Sequence, residues 1–458
     1  MKQTKGAIGN LLNRYKAVLK KCHLLNTFGS LAVVSMLVMG GTSPAMANQI
    51  ALEGLNNAAE KNVTVNDNLM GGWLIDAAGK IAGSDSVQMD VVGIKASEII
   101  GGSYVRGTLS SDVDVSIAHD SISTTIGNGE GEGSTTTAAQ FVVGGSKIAN
   151  GNNYQLQTGT VNLTINSGTF GIETESATPS GTYELVVAGN YIKGAENIGS
   201  SSSAQADSVN LNITGGTFHA TVVGGSVANV YGATTEGTIV SQSVTDGTTT
   251  TVITGGIFNP SSTKLTNEQG AFNLESAVIG GGMAYGVHTQ IDHTGSSTVS
   301  VSGDTTEVNG KIVAGAVVAD GGFGTFTGDS MLKANGGTYK DDLVGGGMVD
   351  NEGTDAFDYA KGQIALDVNG NTSVTMTAGT LDGEIMGAAY VRGDGAAVQD
   401  GDSFVAVTGG TQAAATDKGQ YIIGGGKAMA YNGDSATSTV TGTSQVLISG
   451  ESTEINGG

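Results

Sequence analysis

Cysteine, proline, tryptophan and cations are all scarce in this chain. One cysteine in 458 residues, Cys22, excludes an intramolecular disulfide framework, so stability has to come from packing and backbone pairing. Three prolines, Pro44, Pro179 and Pro260, are too few for a proline-rich extended linker. Lysine and arginine total 20 against 42 acidic residues, a formal charge of −22. Six of those cations lie in residues 1–47, which carry no acid, so the rest of the chain sets 14 basic against 42 acidic side chains. Such a field disfavours nucleic acid and anionic lipid as partners and suits a chain that stays soluble outside the cytoplasm. Beyond residue 47 only two arginines remain, Arg106 and Arg392.

Glycine is what the chain has in quantity, with 75 copies. That content would ordinarily point to disorder, but a regular apolar alternation opposes it. The clearest instance is VNLNITGGTFHATVVGGSVANVYG, residues 209–232. Val209, Leu211 and Ile213 fall on one side of an extended strand and Asn210 and Asn212 on the other. Gly215-Gly216 ends that strand, a second runs from Thr217-Phe218 to Val222-Val223, and Gly224-Gly225 introduces a third at Ser226–Tyr231. Glycine reaches the positive φ that tight corners demand, so both pairs are expected to turn the chain that way.

The phrase recurs. Two apolar residues precede a small pair whose first member stands at 101, 144, 188, 224, 280, 314, 345, 387 and 424, at intervals of 31 to 56 residues. Gly93 and Gly101, Gly216 and Gly224, Gly337 and Gly345, and Gly379 and Gly387 are each eight apart. A constant inner spacing with variable lengths between copies is the mark of a coil with loops of differing size. The expected fold is all-β, a right-handed parallel β-helix with about one coil and a variable loop per repeat; two smaller coils per repeat is the alternative. Phe170, Phe218, Phe258, Tyr339 and Leu381 follow the first corner of successive copies and should stack as an apolar core ladder, in preference to an exposed aromatic stripe for sugar. Polar stretches at 123–140, 199–206, 245–251 and 431–442 are expected to be loops. A specific ligand would be sought on such loops.

The first 47 residues combine a basic segment, an apolar run at 31–41 and Ala45-Met46-Ala47. This is the pattern of a cleaved Sec signal, with Ala45 and Ala47 at the cleavage site and the mature chain beginning at Asn48. The apolar run falls short of the roughly 20 residues of a spanning helix. Residues 48–86 depart from the repeat and are expected to cap the N-terminal end of the coil. The β-helix repeats then occupy 87–458.

Repeats of the form VNLNITGGTF…VVGG behind the extended signal MKQTKGAIGNLLNRYKAVLKKCHLLNTFGS resemble the passenger region of an autotransporter, a type V secreted protein of Gram-negative bacteria. The resemblance implies export by the Sec machinery, display at the cell surface or outer membrane or release outside the cell, and translocation by a C-terminal β-barrel. No segment here resembles that barrel, and STEINGG (452–458) stops inside a repeat, so the expectation is a passenger fragment with its barrel outside this chain. Passengers of this kind include adhesins, proteases and esterases, and the ligand on host or bacterial surfaces is left open.

Few residues point to chemistry. Gly-Asp-Ser occurs at 328–330, 401–403 and 433–435, but is followed by Met331, Phe404 and Ala436, whereas the serine proteases of the family follow it with Gly-Ser-Pro. His288 and His293 flank Asp292 with no further metal-ligand spacing. DGGFGTFTG (320–328) begins like a calcium-binding nonapeptide but has Thr325 at the ligating position. Glu130 and Glu132 could attract calcium only weakly. No cofactor, metal site or catalytic residue is expected. Arg392-Gly393-Asp394 has the form of a cell-binding tripeptide, which would need a loop tip; YVRG (390–393) repeats YVRG (104–107), so Arg392 and Gly393 also belong to the repeat. The expected function is a non-enzymatic surface passenger, adhesin-like or structural. The alternative is a β-helical polysaccharide lyase or glycosidase, which needs an Arg or Lys base and carboxylates on one face.

Overall fold

The computed structural model describes residues 48–51, 69–72, 74–75, 86–105, 115–127, 137–151, 154–171, 185–194, 202–230, 242–260, 263–267, 270–274, 276–286, 289–351, 364–413, 420–430 and 435–456. Among them every regular element is a β-strand. Ala45, Ala47 and the whole of 1–47 lie outside the described residues, as do Arg106, Glu130, Glu132 and His288.

One coil is seen whole at 202–230. A long strand, Ser202–Ile213, turns at Thr214–Gly216 into Thr217–Phe218, then Thr221–Val223, and after the glycine pair into Val227–Val230. Each piece pairs in parallel with its counterpart in the next coil: Leu211 with Thr251, Phe218 with Phe258, Val222 with Val278, and Ala228 with Ala284. One repeat is therefore one coil of a parallel β-helix. The apolar pairs before the anchors form a single column through Ile99, Val142, Val186, Val222, Val278, Ile312, Leu343, Ile385 and Ile422. That column begins one level higher, where Leu69–Met70 pairs with Ile99–Ile100 and is followed by Gly71-Gly72. The strand after the glycine pair builds its own ten-stranded parallel sheet, from Leu74–Ile75 to Lys427–Met429.

The two glycine corners work differently. At the first, φ is 113° at Gly216 and 110° at Gly256, as expected of a corner closed to L-residues. At the second, neither Gly224 nor Gly225 has positive φ. What excludes a side chain there is crowding: a Cβ on Gly224 would sit 2.6 Å from the Gly280 carbonyl oxygen, and one on Gly225 would sit 2.7 Å from the Gly282 nitrogen. The pair is pressed against Thr251 and Asp246 of the next long strand. It pinches the cross-section into two lobes.

Alternation then distributes the side chains. Val209, Leu211, Ile213, Phe218 and Val222 fill one lobe, while Ala204, Ala228 and Val244 fill the other. Val223 and Val227 point to the far side of the bend, where they pack with Tyr191, Ile279 and Met283. The aromatic ladder is inside the first lobe. Phe170, Phe218 and Phe258 stack at centroid spacings of 5.1 and 4.6 Å, and Val308, Tyr339 and Leu381 continue the column. All six are buried, and each contributes roughly 1.5–3 kcal/mol.

Much of what polarity marked as loop is strand. Ser202–Ile213, Gln242–Ile253 and Ala436–Val440 run through the stretches expected to be excursions, and Val115–Ile126 takes in the start of another. The second lobe takes small or hydroxylated residues at inward positions such as Ser202 and Ala204, both buried. Composition there mimics a loop although the backbone is paired on both sides.

Candidate functional site

Arg392-Gly393-Asp394 is not at a loop tip. The strand Tyr390–Gly393 is buried along its length. Arg392 Nε donates to Asp350 Oδ1 at 2.9 Å, with the two side chains 7% and 0% exposed. These residues are register partners, so the ion pair joins one coil to the next. Asp394 is also buried; its carboxylate accepts the Ser435 N–H and its carbonyl accepts Asn351 Nδ2 at 2.6 Å. A receptor would have to reach two charged groups that the fold has already paired.

Two of the three Gly-Asp-Ser triplets, 328–330 and 401–403, prove to be joints of the coil; Gly433 and Asp434 of the third lie outside the described residues. Ser330 and Ser403 are buried, and their hydroxyls donate to the carbonyl oxygens of Gly345 and Gly424 at the second corner. Ser297 does the same to Ala314 at 2.6 Å. The neighbouring acids cap backbone from coil to coil: Asn371 N–H donates to Asp329 Oδ1, Asp402 N–H to Asn371 Oδ1, and Thr443 N–H to Asp402 Oδ1, at 2.9, 3.0 and 2.8 Å. The hydroxyls of Ser330 and Ser403 thus face backbone carbonyls and not a base.

His293 is not on an exposed loop. It is fully buried and stacks on Phe326 at 4.4 Å. Asp292 points the other way and accepts from Thr325 Oγ1 at 2.6 Å and Gln290 Nε2 at 2.7 Å. Thr325 of the calcium-like nonapeptide is thereby a strand residue bonded across coils. Among the described residues no group of three or more His, Cys, Asp or Glu could hold a metal ion.

A recurring constellation escaped the sequence reading. Lys147 Nζ lies 2.7 Å from Glu98 Oε2 and Lys427 Nζ lies 2.6 Å from Glu384 Oε2, each acid being on the preceding coil. Tyr104 lies under Lys147 and Tyr390 under Lys427, at 5.2 and 5.6 Å from ring centroid to ammonium. Phe141 and Tyr191 complete a cage around Lys147, whose pKa burial lowers against the opposing pull of Glu98. The signal was present in the text as EIIGGSY (98–104) with VVGGSK (142–147), and EIMGAAY (384–390) with IIGGGK (422–427). Lys311 makes a third inter-coil pair, 3.0 Å from Asp341.

Inside the second lobe a polar spine follows the sheet. Ser103 N–H donates to Ser146 Oγ, Ser146 N–H to Asn190 Oδ1, and Asn190 N–H to Ser226 Oγ, at 3.0, 2.9 and 3.0 Å. The spine closes on Asp246, which accepts both the N–H and the hydroxyl of Ser226 at 2.6 Å. All five residues are completely buried. Burial pushes the Asp246 carboxyl up to about 6, although the two Ser226 bonds pull it down.

Comparison with known proteins returned nothing: no protein-family model, no characterised protein and no solved structure matches the chain.

Proposed function

We propose that this chain is a non-enzymatic exported passenger, a β-helical stalk that presents its loops at the surface of a Gram-negative cell. The reading begins from the Sec-type segment at 1–47, the absence of cysteine beyond it and the acidic charge of the remainder. One observation carries it furthest. The buried cations Lys147, Lys311 and Arg392, the half-buried Lys427, and the hydroxyls of Ser330 and Ser403 are all committed to joining one coil to the next or one side of a coil to the other. A polysaccharide lyase would need such a cation free beside a carboxylate on an open face. In this chain the same residue types hold the stack together.

Export and activity can be tested on one preparation. Material recovered from the surface of intact cells by protease shaving should come from a chain that starts at Asn48, and the purified protein should turn over no member of a glycan and peptide panel. Turnover of any substrate would overturn the non-enzymatic reading. A product that keeps residues 1–47 and resists shaving would overturn the exported one.

A further inference from the structure

The long strand Gln242–Ile253 is unlike its neighbours on the inside. Its inward residues are Gln242, Val244, Asp246, Thr249 and Thr251, which stand in register with Ser202, Ala204, Ala206, Val209 and Leu211 of the coil before. On the coil after, the same positions hold Thr289, Ile291, His293, Ser297 and Val299. The amide nitrogen and oxygen of Gln242 and the hydroxyls of Thr249 and Thr251 are buried without a hydrogen-bond partner. An unpaired buried polar group weakens its site by the whole of its lost hydration. Three such side chains on one strand, beside a buried carboxylate, make this level the least satisfied of the stack among the described residues.

We propose that the coil of residues 242–260 is a seam at which the solenoid opens locally while the rest of the stack stays closed. Beyond Pro260 the described chain forms the antiparallel hairpin Thr263–Asn267 and Gly270–Leu274, set on a fold whose other described pairings are parallel. In a solenoid each coil touches only its neighbours, so an opening at one level need not spread.

Proton binding does not shut the seam. The groups around the Asp246 carboxyl are Ser226 across the coil, the glycines of 224–225 and 280–282, Ala206 on the preceding coil and His293 on the following one. Lys193, on the neighbouring strand, alternates with the inward Ile192 and faces away from this lobe. Above pH 6 the buried Asp246 is ionised and weakens the closed state; that penalty fades as pH falls toward 3.8. His293, which burial holds at about 4, acts in the opposite sense, because the open chain takes up a proton near 6.5 and the closed one does not. Between pH 4 and 6 the two slopes oppose, so opening persists across the range.

The test uses hydrogen exchange on the full chain, with amides of Gln242–Ile253 compared against Tyr154–Ile165 and Ser202–Ile213 in the same sample. Exchange in 242–253 should be at least about tenfold faster than in either reference strand, as one unsatisfied group alone implies. A triple variant, Gln242→Ser with Thr249→Val and Thr251→Leu, installs the inward residues of the preceding coil and leaves Asp246 and Ser226 in place. It should slow exchange in the seam by at least about tenfold without changing that of its neighbours. Equal exchange in the three strands of the parent overturns the proposal, and so does a folded triple variant that exchanges as fast as the parent.

Discussion

Asp246 and Arg392 are both charges placed inside a fold that has few of them, and they differ in their partners. Arg392 faces the carboxylate of Asp350, so removing either breaks a buried ion pair, a change that typically costs about 3–5 kcal/mol. Asp246 has only the neutral donors of Ser226, and burial lifts its carboxyl from 3.8 to about 6. A raised carboxyl stabilises nothing above its folded value, since the native state at neutral pH holds a charge that the unfolded chain hydrates better. Asp246→Asn keeps an acceptor for the Ser226 N–H, turns its amide N–H to the Ser226 hydroxyl oxygen and removes that charge. It is expected to raise stability at pH 7.5 by about 3 kcal/mol, the equivalent of a shift of roughly two units. With Asp246 neutral, His293 acts unopposed, so the variant should lose stability as pH falls from 6.5 through 4. Urea midpoints at pH 7.5 and 4.5 measure both parts; a variant no more stable than the parent at pH 7.5 would show that Asp246 is not held as an uncompensated charge.

At the scale of the element, the glycine pair decides how close two strands come. Crowding, and not positive φ, excludes a side chain at Gly224, and this difference has a testable form. Gly424-Gly425 is the same corner in the last described coil, where a Cβ on Gly425 would meet only the Ser444 hydroxyl at 3.4 Å. Gly224→Ala should therefore cost about 1–3 kcal/mol or more through overpacking, while Gly425→Ala should stay within about 0.5 kcal/mol. Similar losses for both would restore backbone conformation as the reason for glycine. The sequence made the coil legible, because apolar pairs before small pairs mark the one place per repeat where packing leaves no latitude. It hid parts of the long strands, since Ser202, Ala206, Thr249 and Thr251 carry the composition of a loop while lying buried in strands. The tripeptide at 392–394 was misleading for a related reason. Receptor motifs are read as exposed text, and only the register pairing of Asp350 with Arg392 reveals that this one faces inward. The Lys–Glu–Tyr sets were readable in principle, but their members lie on different coils and the relevant spacing crosses a loop of variable length.

For the whole molecule, the consequence of stacking is that damage should be graded by distance along the coil axis. Phe218 sits between Phe170 and Phe258, parallel to the latter within 5°, and all three are fully buried. Phe218→Asp places a carboxylate in this column with no cation near it, a change expected to cost several kcal/mol. In a globular core such a change unfolds the domain, because every element shares the same interior. Here the first lobe is continuous along the axis, but each coil closes its own backbone pairing only with the coils on either side. Protection against hydrogen exchange should fall first at residues 202–223, then at Tyr154–Phe170 and Gln242–Phe258, and should be unchanged at Thr372–Met386. The last described coil supplies the internal reference for a loosely held level. Val446, Leu447 and Ile448 are 44%, 47% and 51% exposed, whereas their register partners Val405, Ala406 and Val407 are buried, so amides of Ser444–Ile448 should exchange fast in parent and variant alike. If Phe218→Asp removed protection evenly from 86 to 430, the molecule would be folding as one cooperative unit and the nearest-neighbour account of its stability would fail.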